Sequence, residues 1–211
     1  MFYATERLLI SLRTLSCIPA VLNTGNFIMV KKVCVYIDGA NFYGGLTSIN
    51  PRFTDNKFDF ERYINFICNG DELVKVYYYN ALVKKRINEK IWKKQKKLFD
   101  RLNQIKNYKV SLCTRKSRLN ILGEEYHTIK GDDICLALDM IEDCYTNKYD
   151  KAILISGDGD FLELIKRIKK QGKEVEICYF EKCISGLLLK KVDKKYLINK
   201  KIVKKFFLIE Y

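Results

Sequence analysis

A strand-like run that stops at a carboxylate and turns straight into a helix occurs twice in this chain, and few architectures accommodate that arrangement. Residues 152–155 are apolar and rich in Ile; they end at Ser156 and Gly157, Asp158 and Asp160 follow on either side of Gly159, and helical spacing resumes at Phe161. Residues 33–37 are apolar and β-branched and run into Asp38, then Gly39, Ala40 and Asn41, before an apolar helix start at Phe42. Short apolar runs bounded in this way read as buried strands. A strand feeding directly into a helix is the unit of a parallel sheet, and ligands bind open α/β sheets at the carboxyl ends of their strands. Gly and Asp are also ordinary turn residues. The weight of the reading therefore rests on how many carboxylates reach the same edge.

The rest of the chain keeps the alternation. Residues 73–79, 108–113 and 175–180 read as further strands, and 196–198 as a last one. Residues 58–68, 87–105 and 132–145 carry helical spacing, and 184–189 a short helix. Their apolar faces are Phe60, Ile64 and Ile67; Ile91, Leu98, Leu102 and Ile105; and Ile134, Leu138 and Ile141. The expected fold is α/β, a Rossmann-like three-layer sandwich with a mostly parallel central sheet covered on both faces. A chain of 211 residues suffices for one such core, and with only 2 Pro a linker to a second domain is not expected. The domain is expected over residues 30–200. Residues 1–29 read as an N-terminal extension or the product of a misplaced start, and 201–211 as a basic tail.

Composition narrows the partner. A hydrophobic content of 48% argues against disorder, and no apolar stretch reaches the length of a membrane span. The net charge is +14, and it is clustered: residues 84–130 hold 15 Lys or Arg against four acids. Trp92 and Tyr108 are interleaved among them. Lysines neutralise phosphates and aromatic rings stack on unpaired bases, so the patch points to nucleic acid, with Lys93, Lys94, Lys97 and Arg101 as contacts. The competing account is a solvated helix face with a half-buried Trp. The 8 cysteines include no CxxC pair and His127 is the only histidine, which argues against zinc. Cys34, Cys113 and Cys178 in strand-like runs, and Cys135 in a helical one, read as small buried hydrophobes in a reducing cytoplasm.

A third acidic site opens the helix at 132–145, where Lys130 and Gly131 precede Asp132 and Asp133. Acids in a first helical turn are favoured by the dipole and by capping, which accounts for one of them without any function. Asp139 lies about 240° round the helix from Asp133 and is not expected in the same pocket.

DGAN at 38–41, KGDD at 130–133 and SGDGDF at 156–161, in this order, resemble the NYN domains of the PIN-like nuclease superfamily. Ser185, Leu188 and Asp193 match its late motif, so the resemblance runs over residues 33–198. It implies a PIN-like fold, an acidic pocket, dependence on a divalent metal and cleavage of RNA. By match, the catalytic residues are Asp38, Asn41, Asp133, Asp158 and Asp160. Position 132 is usually uncharged in the family; here Asp132 competes with Asp133.

Phosphodiester hydrolysis needs a nucleophilic water, neutralised phosphate oxygens and a stabilised leaving oxygen, all of which Mg²⁺ or Mn²⁺ supplies. Such hard cations take carboxylate oxygens. The expected metal ligands are Asp38 and Asp158, with Asp133 and Asp160 on a second ion or a bound water. Asn41 would hold Asp38 or the scissile phosphate, Lys130 would neutralise a phosphate oxygen, and Ser156 would fix the turn. The substrate expected is RNA, single-stranded or structured, cut internally; a second copy of the chain is the other partner considered, and a membrane is not. Two other readings stand beside this one. A haloacid-dehalogenase-type phosphatase needs Asp-x-Asp, but Ala40 stands at the second position. A module that binds RNA without cutting has little reason to gather repelling carboxylates beside a phosphate path.

Overall fold

A computed structural model of the chain describes residues 29–112, 115–119, 125–129 and 131–208, the two short stretches by backbone alone. Six parallel strands form one sheet in the order β3-β2-β1-β6-β7-β8: β1 is Lys32–Asp38, β2 Glu72–Asn80, β3 Tyr108–Leu112, β6 Lys151–Ile155, β7 Glu174–Tyr179 and β8 Lys194–Leu197. A separate antiparallel pair, β4 (Arg115–Leu119) and β5 (Glu125–Ile129), lies between β3 and the next helix; the apolar pattern gives no sign of it. The central strands β1 and β6 are buried along almost their whole length, as a sheet covered on both sides requires.

Strand alternation sends two sets of side chains to two helical layers. Val33, Val35 and Ile37 of β1, with Ile153 and Ile155 of β6, pack under α1 (Gly39–Ile49), α2 (Phe60–Cys68), α3 (Glu89–Gln104) and α7 (Lys200–Lys205). Cys34 and Tyr36, with Ala152 and Leu154, pack under α4 (Asp132–Tyr145), α5 (Leu162–Lys170) and α6 (Gly186–Leu189). On the first face Phe42, Phe58, Phe60 and Phe180 meet at ring distances of 5.0 to 5.5 Å, which ties α1 to the segments leaving β7 and entering α2. The lysine-rich run from residue 201, expected as a tail, packs: Val203 and Phe206 are buried in this layer, because the lysines of α7 sit on its outer side.

Helix starts follow local chemistry. Asp38, Asp59, Asn88 and Asn199 each accept a backbone N–H from the first turn of α1, α2, α3 and α7. One helix is turned differently from its apolar pattern. Ile134 and Leu138 of α4 are exposed at 63% and 59%, while Leu136, Met140 and Cys144 face the sheet. The reason is the sheet. Tyr36 and Tyr79 present hydroxyls to α4, and these donate to Asp143 and Asp139 at 2.7 Å each. Buried phenols need acceptors, so α4 turns its acid-bearing face inward. Ile91 of α3 is likewise exposed, and so is Cys135, against the expectation of buried positions. Cys34 and Cys178 are buried as expected; Cys113 lies outside the described residues.

Candidate active site

Parallel pairing of β1 with β6 sets Ile37 beside Ile155, which brings Asp38 and Ser156 together at the carboxyl edge of the sheet. Asp38 has both oxygens engaged. Oδ1 accepts the Asn41 backbone N–H at 2.9 Å and Oδ2 accepts the Ser156 hydroxyl at 3.0 Å. The same Ser156 oxygen accepts the Asp158 N–H at 3.2 Å, and Asp158 Oδ1 accepts the Asp160 N–H at 3.0 Å. Asn41 Oδ1 accepts the Gly157 N–H at 3.1 Å, tying the start of α1 to the turn after β6. Ser156 thus both fixes its turn and clamps Asp38.

Two glycines make this approach sterically possible. A Cβ at Gly157 would stand 1.6 Å from the Cys183 carbonyl oxygen, and one at Gly39 would lie 2.7 Å from the Asn80 amide and the Tyr79 carbonyl. Asn80 ends β2, is buried, and accepts the Ala81 N–H through its side chain at 2.7 Å. It is a polar member of this edge that motif reasoning missed; the abrupt end of the Tyr77-Tyr78-Tyr79 run at an Asn was the available signal.

The third strand-edge group comes from α4. Asp132 is 7% exposed and Asp133 is open to solvent. Burial pushes the Asp38 carboxyl up, against its two hydrogen bonds, and Asp132 and Asp158 push it further. Partial burial, then the charges of Asp132, Asp38, Asp158 and Asp160, push the Asp133 carboxyl up to about 6. Five carboxylates from three chain segments therefore share one electrostatic pocket, with Asp132 the deeper of the α4 pair. Asp139 instead bonds Tyr79, in line with its place round the helix.

Donor chemistry fits a hard cation: among the described residues, the groups that share this pocket are carboxylates. Among the described residues no three such side chains converge closely enough to form a closed cage. An ion that keeps several of its own waters suits that openness, as Mg²⁺ does.

The remaining expected site residues lie elsewhere. Lys93, Lys97 and Arg101 of α3 line a groove of about 630 Å³ on the first face, and Lys94 is exposed on the same helix. Arg101 is half-buried and donates from Nη2 to the Phe58 carbonyl at 3.0 Å. Tyr108 is buried with its hydroxyl directed at the Phe60 carbonyl, so it is not a stacking platform. Asp193 pairs with Lys169 and caps the start of β7, at the opposite edge of the sheet. Lys130 lies outside the described residues.

The NYN domain family matches residues 32–199, which takes in every strand and both carboxylate junctions. This chain belongs to the NYN domain family. The NYN fold is PIN-like, and the three-layer architecture with its all-parallel sheet is the one expected. The family is nuclease-like in general character. A crystal structure from Vibrio parahaemolyticus RIMD 2210633, of a protein of unknown function, is 22% identical with a TM-score of 0.61 over 85% of this chain and 97% of that one. At that identity it speaks for the fold alone. No curated protein matches the sequence.

Proposed function

We propose that this NYN domain is a divalent-metal-dependent ribonuclease that hydrolyses phosphodiester bonds of RNA at the carboxylate edge of β1, α4 and β6. The reading is carried by the shared field of Asp38, Asp132, Asp133, Asp158 and Asp160: acids distant in the chain are held together, and each raises the cost of ionising Asp133. Mg²⁺ or Mn²⁺ would be held by Asp38, Asp133, Asp158 and Asp160, with Asp132 behind them. When bound, such an ion lowers the pKa of water and neutralises phosphate oxygens.

The chain's own groups orient and bind. Ser156 and the Asn41 N–H hold the two oxygens of Asp38, which leaves a lone pair on each for an ion. Asn41, with Oδ1 occupied by Gly157, offers its Nδ2 hydrogens to a phosphate oxygen. Lys130 neutralises a second oxygen, and Lys93, Lys94, Lys97 and Arg101 contact the strand away from the cut. Internal cutting of the strand belongs to this proposal. The described cysteines are all free thiols, which suits a reducing cytoplasm.

One observation favours a second reading, binding of RNA without cleavage: the lack of a preformed cage among the described residues. Labelled single-stranded RNA incubated with Mn²⁺ or EDTA separates the two. Metal-dependent fragments support the nuclease and a mobility shift alone supports the binder. Asp158→Asn should abolish fragmentation while the protein stays folded, and wild-type cleavage by that variant would remove the assignment.

A further inference from the structure

The groove on α3 has features that a merely solvated lysine face lacks. It is concave, and Leu208 contributes apolar surface among its lysines, with Leu98 buried beneath. Trp92, the only tryptophan of the chain, lines it half-buried. Lys85 lies over the Trp92 ring at 5.5 Å from its centroid, a cation–π contact. Lys93 is paired with Glu89 at 3.2 Å and Lys96 with Asp100 at 2.9 Å, but among the described residues no carboxylate pairs with Lys97. Arg101 commits one donor to Phe58 and has others to offer.

The helix that carries the groove is bonded to the segment leaving β2. Gln95, less than one turn after Trp92, accepts the Val83 N–H at 2.8 Å and reaches the Ala81 carbonyl at 3.5 Å. Ala81 follows Asn80, whose amide crowds Gly39 beside Asp38. One short segment therefore joins α3 to the end of β2 beside Gly39.

We infer that this groove is a second site for the substrate strand, where an unpaired nucleotide stacks its base on Trp92 and its phosphates meet Lys97, Lys93 and Arg101. The choice of polymer rests on the nuclease reading above. The requirement for an unpaired base rests on the groove itself: stacking on a side chain needs an exposed base face, which a duplex does not present. An acidic peptide would satisfy the lysines but would gain nothing specific from the indole.

Trp92 makes the test direct, because the intrinsic tryptophan fluorescence of the full chain reports on this one residue. In EDTA, oligouridylate of roughly 12 nucleotides should quench that emission, while the matching duplex and polyglutamate should not. Lys97→Gln should reduce the slope of log affinity against log salt by about 0.7. Trp92→Ala should weaken binding of end-labelled oligouridylate about 5- to 150-fold, measured by anisotropy. Three results overturn the inference: oligouridylate that binds by anisotropy without quenching, equal quenching by polyglutamate, or Trp92→Ala affinity within about twofold of wild type. Because cleavage plays no part in these measurements, loss of quenching with intact Mn²⁺-dependent cutting removes only the groove. Quenching without any cutting removes only the nuclease.

Discussion

Ser156→Ala removes one oxygen that serves two partners. Its hydroxyl donates to Asp38 Oδ2 at 3.0 Å and accepts the Asp158 N–H at 3.2 Å, and at 1% exposure water cannot take its place. A hydrogen bond to a charged acceptor contributes about 1.5–3 kcal/mol, and an orphaned N–H adds to the loss. The Asp158 backbone is only partly buried, so the total is about 2–4 kcal/mol, or roughly 5–15 °C in melting temperature for a domain of this size. The carboxylate makes most of that cost. In an Asp38→Asn background the hydroxyl meets a neutral acceptor, and Ser156→Ala should then cost only about 1 kcal/mol. Urea denaturation of the four proteins of this cycle at pH 7.5, followed by circular dichroism, gives a coupling of at least about 1 kcal/mol if the clamp is real. Under the proposed function, RNA cleavage by Ser156→Ala should fall about 10- to 100-fold, the usual effect of releasing a group that orients a metal ligand. An equal cost of Ser156→Ala in both backgrounds would refute the view that this hydroxyl exists to hold Asp38.

Under the proposed function Mn²⁺ would bind the folded pocket alone, so at about 100 times its dissociation constant it should stabilise the protein by about 2.7 kcal/mol in a thermal melt; a Tm unmoved by Mn²⁺ would count against Asp38 and Asp158 as ligands. At the opposite edge, Lys151 is 4% exposed and pairs with Asp71 at 2.6 Å and with the buried Glu176 at 3.5 Å. Lys151→Met takes the buried cation from Asp71 and leaves the buried Glu176 with only the exposed Lys194 at 3.5 Å, and should cost about 3–5 kcal/mol by urea denaturation, with the double variant Lys151→Met, Glu176→Gln recovering much of it. Burial would raise the Asp71 carboxyl, but the Lys151 ammonium and the Lys31 N–H outweigh it and hold it below the usual range. A depressed carboxyl contributes stability above its unfolded pKa of about 4 and loses it as pH falls through the lower folded value. Asp71→Asn should therefore be less stable than wild type at neutral pH and converge on it in acid; a gap that persists at pH 2 would refute that linkage.

Much of this arrangement was legible in the chain. The two strand–carboxylate–helix junctions foretold a parallel sheet with Asp38 and Asp158 at one edge, because a strand that ends in Asp and turns at once into a helix has its end, and its acid, at the rim. The antiparallel pair β4–β5 was not legible, since its strands are too short and too charged to stand out from the surrounding basic segment. The Lys130 contact falls outside the described residues. On α3, the charge count marked the helix but not its groove, which exists only where the turn at Asp55–Lys57 and Leu208 come up against it.

The sequence by itself determined which residues carry oxygen donors, where strands give way to helices, and that the net charge concentrates around α3, because those are properties of neighbours along the chain. Tertiary structure alone decided how α4 is rotated and hence that Asp132 lies deeper than Asp133. Apolar residues occur on both sides of that helix, so its own periodicity leaves two orientations open. The tyrosine hydroxyls of β1 and β2, brought beneath it by parallel pairing, accept only the orientation that supplies Asp139 and Asp143, and the pair at its first turn is carried round with them.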